Sequence, residues 1–187
     1  MTARATLWAA VLLASLGLGL PARAEEPLSP KAEAALHLTQ SEDAYQQQLG
    51  FLRLEALREA ATIPYLEQSL NHRLPDIRAY AVRALAAVQG AAAVPRLIDR
   101  AQHDGHARVR RAAIMGLEPL AAQDATVLPV LIRALTDRAS EVRMAAVDIV
   151  SRIDDPQARE ALQLRQRRES RRDVRRVLKL ALQRNGS

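Results

Sequence analysis

Few residues in this chain could do chemistry. It has four histidines and no cysteine, which excludes thiol nucleophiles, thiolate metal sites, disulfides and a lipidated-cysteine anchor. His103 and His106 flank Asp104 and Gly105, a spacing that could offer two imidazoles to one metal ion. Zinc needs three protein ligands, and Asp104 is the one further group at hand. Asp104 also belongs to a repeated pattern described below, so no metal is expected. Ser140 and Ser151 lack a positioned base. The chain has no Gly-rich phosphate loop, no G-x-S-x-G elbow and no H-E-x-x-H motif. These residues predict a protein that is not an enzyme and carries no cofactor.

The groups that do recur are arginines and carboxylates. Arg78, Arg110, Arg143 and Arg175 follow one another at 32 or 33 residues. Each lies in a similar segment, Asp76-Ile77-Arg78, Arg108-Val109-Arg110, Glu141-Val142-Arg143 and Asp173-Val174-Arg175. Six residues before the last three arginines stand Asp104, Asp137 and Glu169, and His72 takes that place before Arg78. Recurrence in several repeats predicts a structural role in the turns and in aligning units, because a catalytic constellation would be unique to one repeat.

The elements that position these groups follow from the apolar spacing. Four residues after each Ile or Val come Ala81, Ala113, Ala146 and Leu178, and eight after come Leu85, Leu117, Val150 and Leu182. These offsets mark one face of a helix, and the small alanines let a neighbouring helix approach. A shorter helix precedes each, opened by Ile63-Pro64, Val94-Pro95 or Leu128-Pro129 and, in altered form, Asp155-Pro156. Proline suits a helix's first turn. The late Pro119 should end or kink its helix. One helix pair cannot bury its apolar face alone, so the units must stack. Upstream, Ser41 is a candidate N-cap for a capping helix with an apolar stripe of Leu49, Leu52 and Ala56. The expected fold is all-α, a solenoid of four units plus this cap over residues 41–187, joined to a Pro-containing linker with a short weak helix at 25–40.

The pattern V-P-x-L-I followed by V-R-x-A-A resembles HEAT repeats of the short type named after phycobilisome lyases, over about residues 45–184. The resemblance implies the solenoid and a ladder of turn acids with helix-B arginines: Asp104, Arg110, Asp137, Arg143, Glu169 and Arg175. It does not imply an activity. Some HEAT-repeat enzymes hold iron with His-Glu pairs, and this chain has no His-Glu dipeptide.

Composition agrees with a globular chain, 187 residues with 49% apolar and 26% charged. Aromatics at 3% are too few for a β-sandwich or a base-stacking surface. Residues 1–24 read as a secretory leader: Arg4, an uncharged run from Ala5 to Leu20, and Ala22-Arg23-Ala24 as the cleavage pattern. The run falls short of the ~20 residues a membrane helix needs. The expectation is export to a periplasm, or outside the cell, with no membrane span after cleavage. The formal net charge is +6, and the stretch from Arg159 onward holds ten basic residues against three acids. It reads either as a solvated end cap or as a patch for an acidic partner.

The function expected from these features is a non-catalytic scaffold, a monomer that holds a protein or peptide and no nucleic acid. The candidate binding residues are Arg78, Arg83, Arg111, Met115, Arg143, Met144, Arg172 and Arg176. Val82, Ile114 and Val147 either extend that surface or pack between repeats. Two alternatives stand beside it. One is a HEAT-repeat enzyme of lyase or metal-dependent oxidoreductase type. The other is an electrostatic binder of an acidic envelope surface through the Arg-rich C-terminal repeat.

Overall fold

The computed structural model describes residues 27–184; the expected leader lies outside them. The α-helices are α1 (Pro30–Thr39), α2 (Ala44–Leu57), α3 (Ile63–Ser69), α4 (Pro75–Gln89), α5 (Val94–His103), α6 (Ala107–Leu117), α7 (Val127–Ala134), α8 (Ser140–Val150), α9 (Pro156–Arg168) and α10 (Arg172–Arg184). No strand occurs among the described residues. Consecutive helices pack in pairs, α1 with α2, α3 with α4, α5 with α6, α7 with α8 and α9 with α10. The second helices, α2, α4, α6, α8 and α10, each pack on the next and form one layer. In the other layer α5 packs on α7 and α7 on α9. The result is the expected all-α solenoid of four units and a cap.

Local sequence explains the breaks. Pro75 and Pro156 open α4 and α9 at the first position, where their missing N–H has no partner to lose. Asp155 caps α9 by accepting from Gln157 N and Ala158 N. Gly90 ends α4 with φ 55°, a conformation glycine adopts without a side-chain clash. That glycine and the 3-10 turn Gly90–Ala93 divide Pro75–His103, a stretch apolar and long enough to pass for a membrane span by composition. In the fold its two halves are the core helices α4 and α5. Pro119 acts as expected: α6 stops at Leu117, and Glu118–Leu120 continues as a 3-10 turn.

The anchors Ile77, Val109, Val142 and Val174 are buried, as are Ala81, Ala113, Ala146 and Leu178 four residues on. Val82, Ile114 and Val147 are each 0% exposed. Of the two readings left open for these three, packing between repeats is the one the structure shows. Each such side chain contributes about 1.5–3 kcal/mol by leaving water.

The N-terminal end departs from expectation in three ways. Residues 30–39, expected within a linker, form α1 and seat Ala32 and Ala35 fully in the core. The N-cap of α2 is Asp43, which accepts from Gln46 N at 2.8 Å; Ser41 instead accepts from Asp43 N at 3.1 Å. The buried face of α2 is Gly50, Phe51 and Leu54, while Leu52 is 39% exposed. These faces coincide with those of the later helices if Gln46 takes the place of the β-branched anchor. Gly50, Phe51 and Leu54 then fall four, five and eight residues after it.

Candidate functional site

The arginine of each unit reaches across a junction. Arg78 donates from Nε and Nη2 to the Asp104 carboxylate at 2.8 and 2.9 Å. Arg110 grips Asp137 at 2.7 Å through both nitrogens, and Arg143 grips Glu169 at 2.8 and 3.1 Å. Each partner is the acid of the following unit, not the acid six residues earlier. What stands six residues earlier is a backbone carbonyl: the Nη1 groups donate to His72 O, Asp104 O and Asp137 O at 2.8, 3.0 and 2.8 Å. The acid in turn accepts from the backbone N–H two residues on, His106, Ala139 or Arg171. One rung therefore ties a turn, its own helix and the next turn together.

This geometry corrects the expected ladder in two places. Arg78 is a full member, although His72 lacks a carboxylate. Arg175 is exposed and holds no carboxylate among the described residues, because no further unit there follows it. The rungs are buried. Asp104, Arg110, Arg143 and Glu169 are all under 9% exposed. Burial alone would raise the carboxyls of Asp104 and Asp137. Arg78 and Arg110, with the backbone N–H donors, bring both below their ordinary value. Glu169 also resists burial: Arg143, the Arg171 N–H and Arg165 hold it down to about 2. Buried bidentate pairs contribute register more surely than net stability, and losing one partner is costly.

The expected binding residues separate accordingly. Arg78 and Arg143 belong to the ladder and spend their donors on it. Arg83 is exposed but pairs with Glu55 at 3.1 Å, and Met144 is half-buried against the core. Arg111 and Met115 are exposed one turn apart on α6, and Arg172 and Arg176 are exposed on α10. The histidine pair does not converge: His103 Nδ1 lies 3.1 Å from Asp99 Oδ1, His106 Nδ1 accepts from Arg108 N, and Asp104 carries Arg78. No cluster of three or more His, Asp or Glu side chains fit for a metal occurs among the described residues.

Sequence reasoning picked out Met115 but missed Leu52 and Leu180 as members of the same exposed apolar row. Counted from Gln46, Ile77, Val109, Val142 and Val174, the sixth residue on is Leu52, Arg83, Met115, Asp148 and Leu180. Leu52, Met115 and Leu180 are 39, 47 and 54% exposed. The charged members of the row are paired, Arg83 with Glu55 and Asp148 with Arg152. Beside the row, Arg111 makes no ion pair among the described residues.

The first junction, between the cap and the first full unit, is built differently. Gln47 stands one residue after the anchor place, where the other units have arginine. Its Nε2 donates to Ser41 O, six residues earlier, at 2.7 Å. His72 stands in the acid's place, and its Nδ1 accepts from Leu74 N at 3.1 Å. Both members of the rung keep their contacts to backbone, and neither is an arginine or a carboxylate. Beside them opens a cavity of about 340 Å³, lined by Gln47, His72, Tyr65, Gln68 and their neighbours.

Comparisons with known proteins agree with this architecture. A family profile described as HEAT repeats matches residues 32–118 and 94–183. No curated protein matches the chain. Among solved structures, the complex of CpcE and CpcF of phycocyanin lyase from Nostoc sp. PCC7120 superposes with a TM-score of 0.68 at 23% identity, covering 80% of this chain and 96% of that one. YibA of Escherichia coli superposes with a TM-score of 0.59 at 18% identity, covering 81% of this chain and 58% of that one. At these identities the likeness bears on the fold alone.

Proposed function

This chain belongs to the HEAT-repeat family, and from that premise we propose that it is a non-catalytic scaffold that binds a protein or peptide along the exposed ridge of its second helices. One observation carries the reading: Leu52, Met115 and Leu180 recur at one exposed position of the repeat, with the unpaired Arg111 beside Met115. A rigid stack that presents apolar side chains at regular intervals, separated by charge, suits an amphipathic helix or extended segment. The ladder supports this by fixing the spacing between units.

The leader pattern at residues 1–24 supports export, and the proposal places the protein in a periplasm. There it acts as a monomer on a protein ligand. The test is capture from the host's envelope extract by immobilised protein. Arg111→Glu combined with Met115→Ala changes two exposed positions, so each substitution should alter stability by under about 0.5 kcal/mol. Capture of the specific partner should fall about tenfold or more if both contacts lie in the interface. Equal capture by the folded variant defeats the ridge as the site. A visible absorbance band or stoichiometric metal in the purified protein would instead favour the enzyme reading.

A further inference from the structure

The cavity at the first junction is the rung where the ladder is missing. At the three later junctions the same place holds a guanidinium and a carboxylate. Here it holds the carboxamide of Gln47 and the imidazole of His72, and the cavity opens beside them.

We propose that this opening binds a neutral polyhydroxylated ligand the size of a single sugar residue. The lining has no carboxylate, ammonium or guanidinium, so neither an anion nor a cation finds a counter-charge. What it offers are the carboxamides of Gln40, Gln47 and Gln68 and, as acceptors, the hydroxyl oxygens of Thr39, Tyr65 and Ser69, with Ile77 as an apolar wall; Thr39 and Ser69 already donate their protons to Leu36 O and Tyr65 O. A carboxamide carries a donor and an acceptor side by side, which matches two adjacent hydroxyl groups. The side chains of Gln40 and Gln68 have no hydrogen-bond partner among the described residues, so their capacity is free. Gln47 uses one N–H on Ser41 O and keeps its second N–H and its carbonyl. Because His72 Nδ1 accepts from Leu74 N, the neutral ring carries its proton on Nε2 and adds a donor. Tyr65 and Thr39 share a hydrogen bond at 2.6 Å, and that fixes the phenol at the cavity wall. The volume lies at the lower end of the range for small-molecule sites, about 300 Å³ upward.

The experiment titrates the purified protein with D-glucose, D-galactose and N-acetylglucosamine and follows backbone and glutamine side-chain amides by NMR. Glucuronate and glucosamine serve as charged controls. Saturable shifts at Gln47, Gln68 and the 65–74 backbone are expected with the neutral sugars and not with the controls. The decisive variant is Gln47→Arg with His72→Asp, which rebuilds the rung seen at the other junctions. It should fold, and it should weaken sugar binding about tenfold or more through the loss of two or more hydrogen bonds. Should it fail to fold, Gln68→Ala gives the same readout from the cavity wall. Absence of shifts with every neutral sugar overturns the proposal. So does equal binding by the rebuilt variant, or preference for a charged control. None of these outcomes bears on the ridge, which is a separate surface.

Discussion

Glu169 is the most constrained side chain of the ladder, with Arg143, Arg165 and the Arg171 N–H all directed at its two oxygens. Its folded pKa of about 2 lies below the ordinary 4.5. A depressed carboxyl stabilises the fold fully above its unfolded pKa and loses that contribution as pH falls through the folded one. Stability should therefore decline between pH 4.5 and 2, by about 3 kcal/mol from this group. Asp104 and Asp137 are shifted in the same direction and should steepen the decline. Glu169→Gln keeps the shape and removes the charge that Arg143 needs. We expect it to cost about 3 kcal/mol at neutral pH and to flatten the acid limb. Urea midpoints across the pH range for both proteins test this, and parallel curves would refute it. Arg110, Arg143 and the three acids of the ladder were legible in the sequence, but the membership of Arg78 and the pairing were not. Each arginine is a fixed number of residues from the acid of its own unit and from the acid of the next, so both pairings are equally periodic. The choice is made in three dimensions, where the backbone carbonyl six residues back already occupies Nη1 and turns the rest of the guanidinium toward the next turn.

Among the elements, the helices of the four full units were readable because a β-branched residue and an arginine mark each second helix. The cap was not readable in register, since Gln46, Gln47 and Ser41 replace the apolar anchor, the arginine and the acid. Its packing rests on another feature. A Cβ at Gly50 would lie 2.6 Å from Thr39 N and 2.8 Å from Ala35 O, so α1 meets α2 backbone to backbone. Gly50 sits where the later helices have Ala81, Ala113 and Ala146, and here even alanine is too large. Gly50→Ala should gain about 1 kcal/mol in helix propensity and lose about 1–3 kcal/mol to overpacking, giving net destabilisation. The loss should be local. Hydrogen exchange should accelerate in α1 and the start of α2 while α8 to α10 keep their protection, and uniform acceleration would contradict the tight approach. The same element explains why residues 30–39 looked like linker. Two prolines and a run of small residues carry little amphipathic signal, and α1 is held by closeness to its neighbour rather than by large apolar side chains.

For the whole molecule the question is what its outermost described unit presents. Five residues after the anchor, the units before it carry Val82, Ile114 and Val147, all fully buried. The unit of α9 and α10 carries Lys179 there, exposed, with Arg175 and Arg176 near it on the same helix. Its outer face is thus polar at the position that elsewhere seals one unit onto the next, which suits a repeat that faces solvent. Ending the chain at Ile153 removes α9 and α10, and two consequences follow. Val147 becomes an exposed apolar residue on the new end face, and Arg143 loses Glu169. The truncated chain should self-associate, because a bare apolar end is a template for another copy. Placing lysine at that position, as α10 does, by Val147→Lys in the same truncation should reduce the self-association without recovering full stability, since Arg143 still lacks its carboxylate. Sedimentation velocity reads the first effect and thermal unfolding the second. If the truncated chain with Val147 intact does not self-associate, that position is not what seals one unit onto the next.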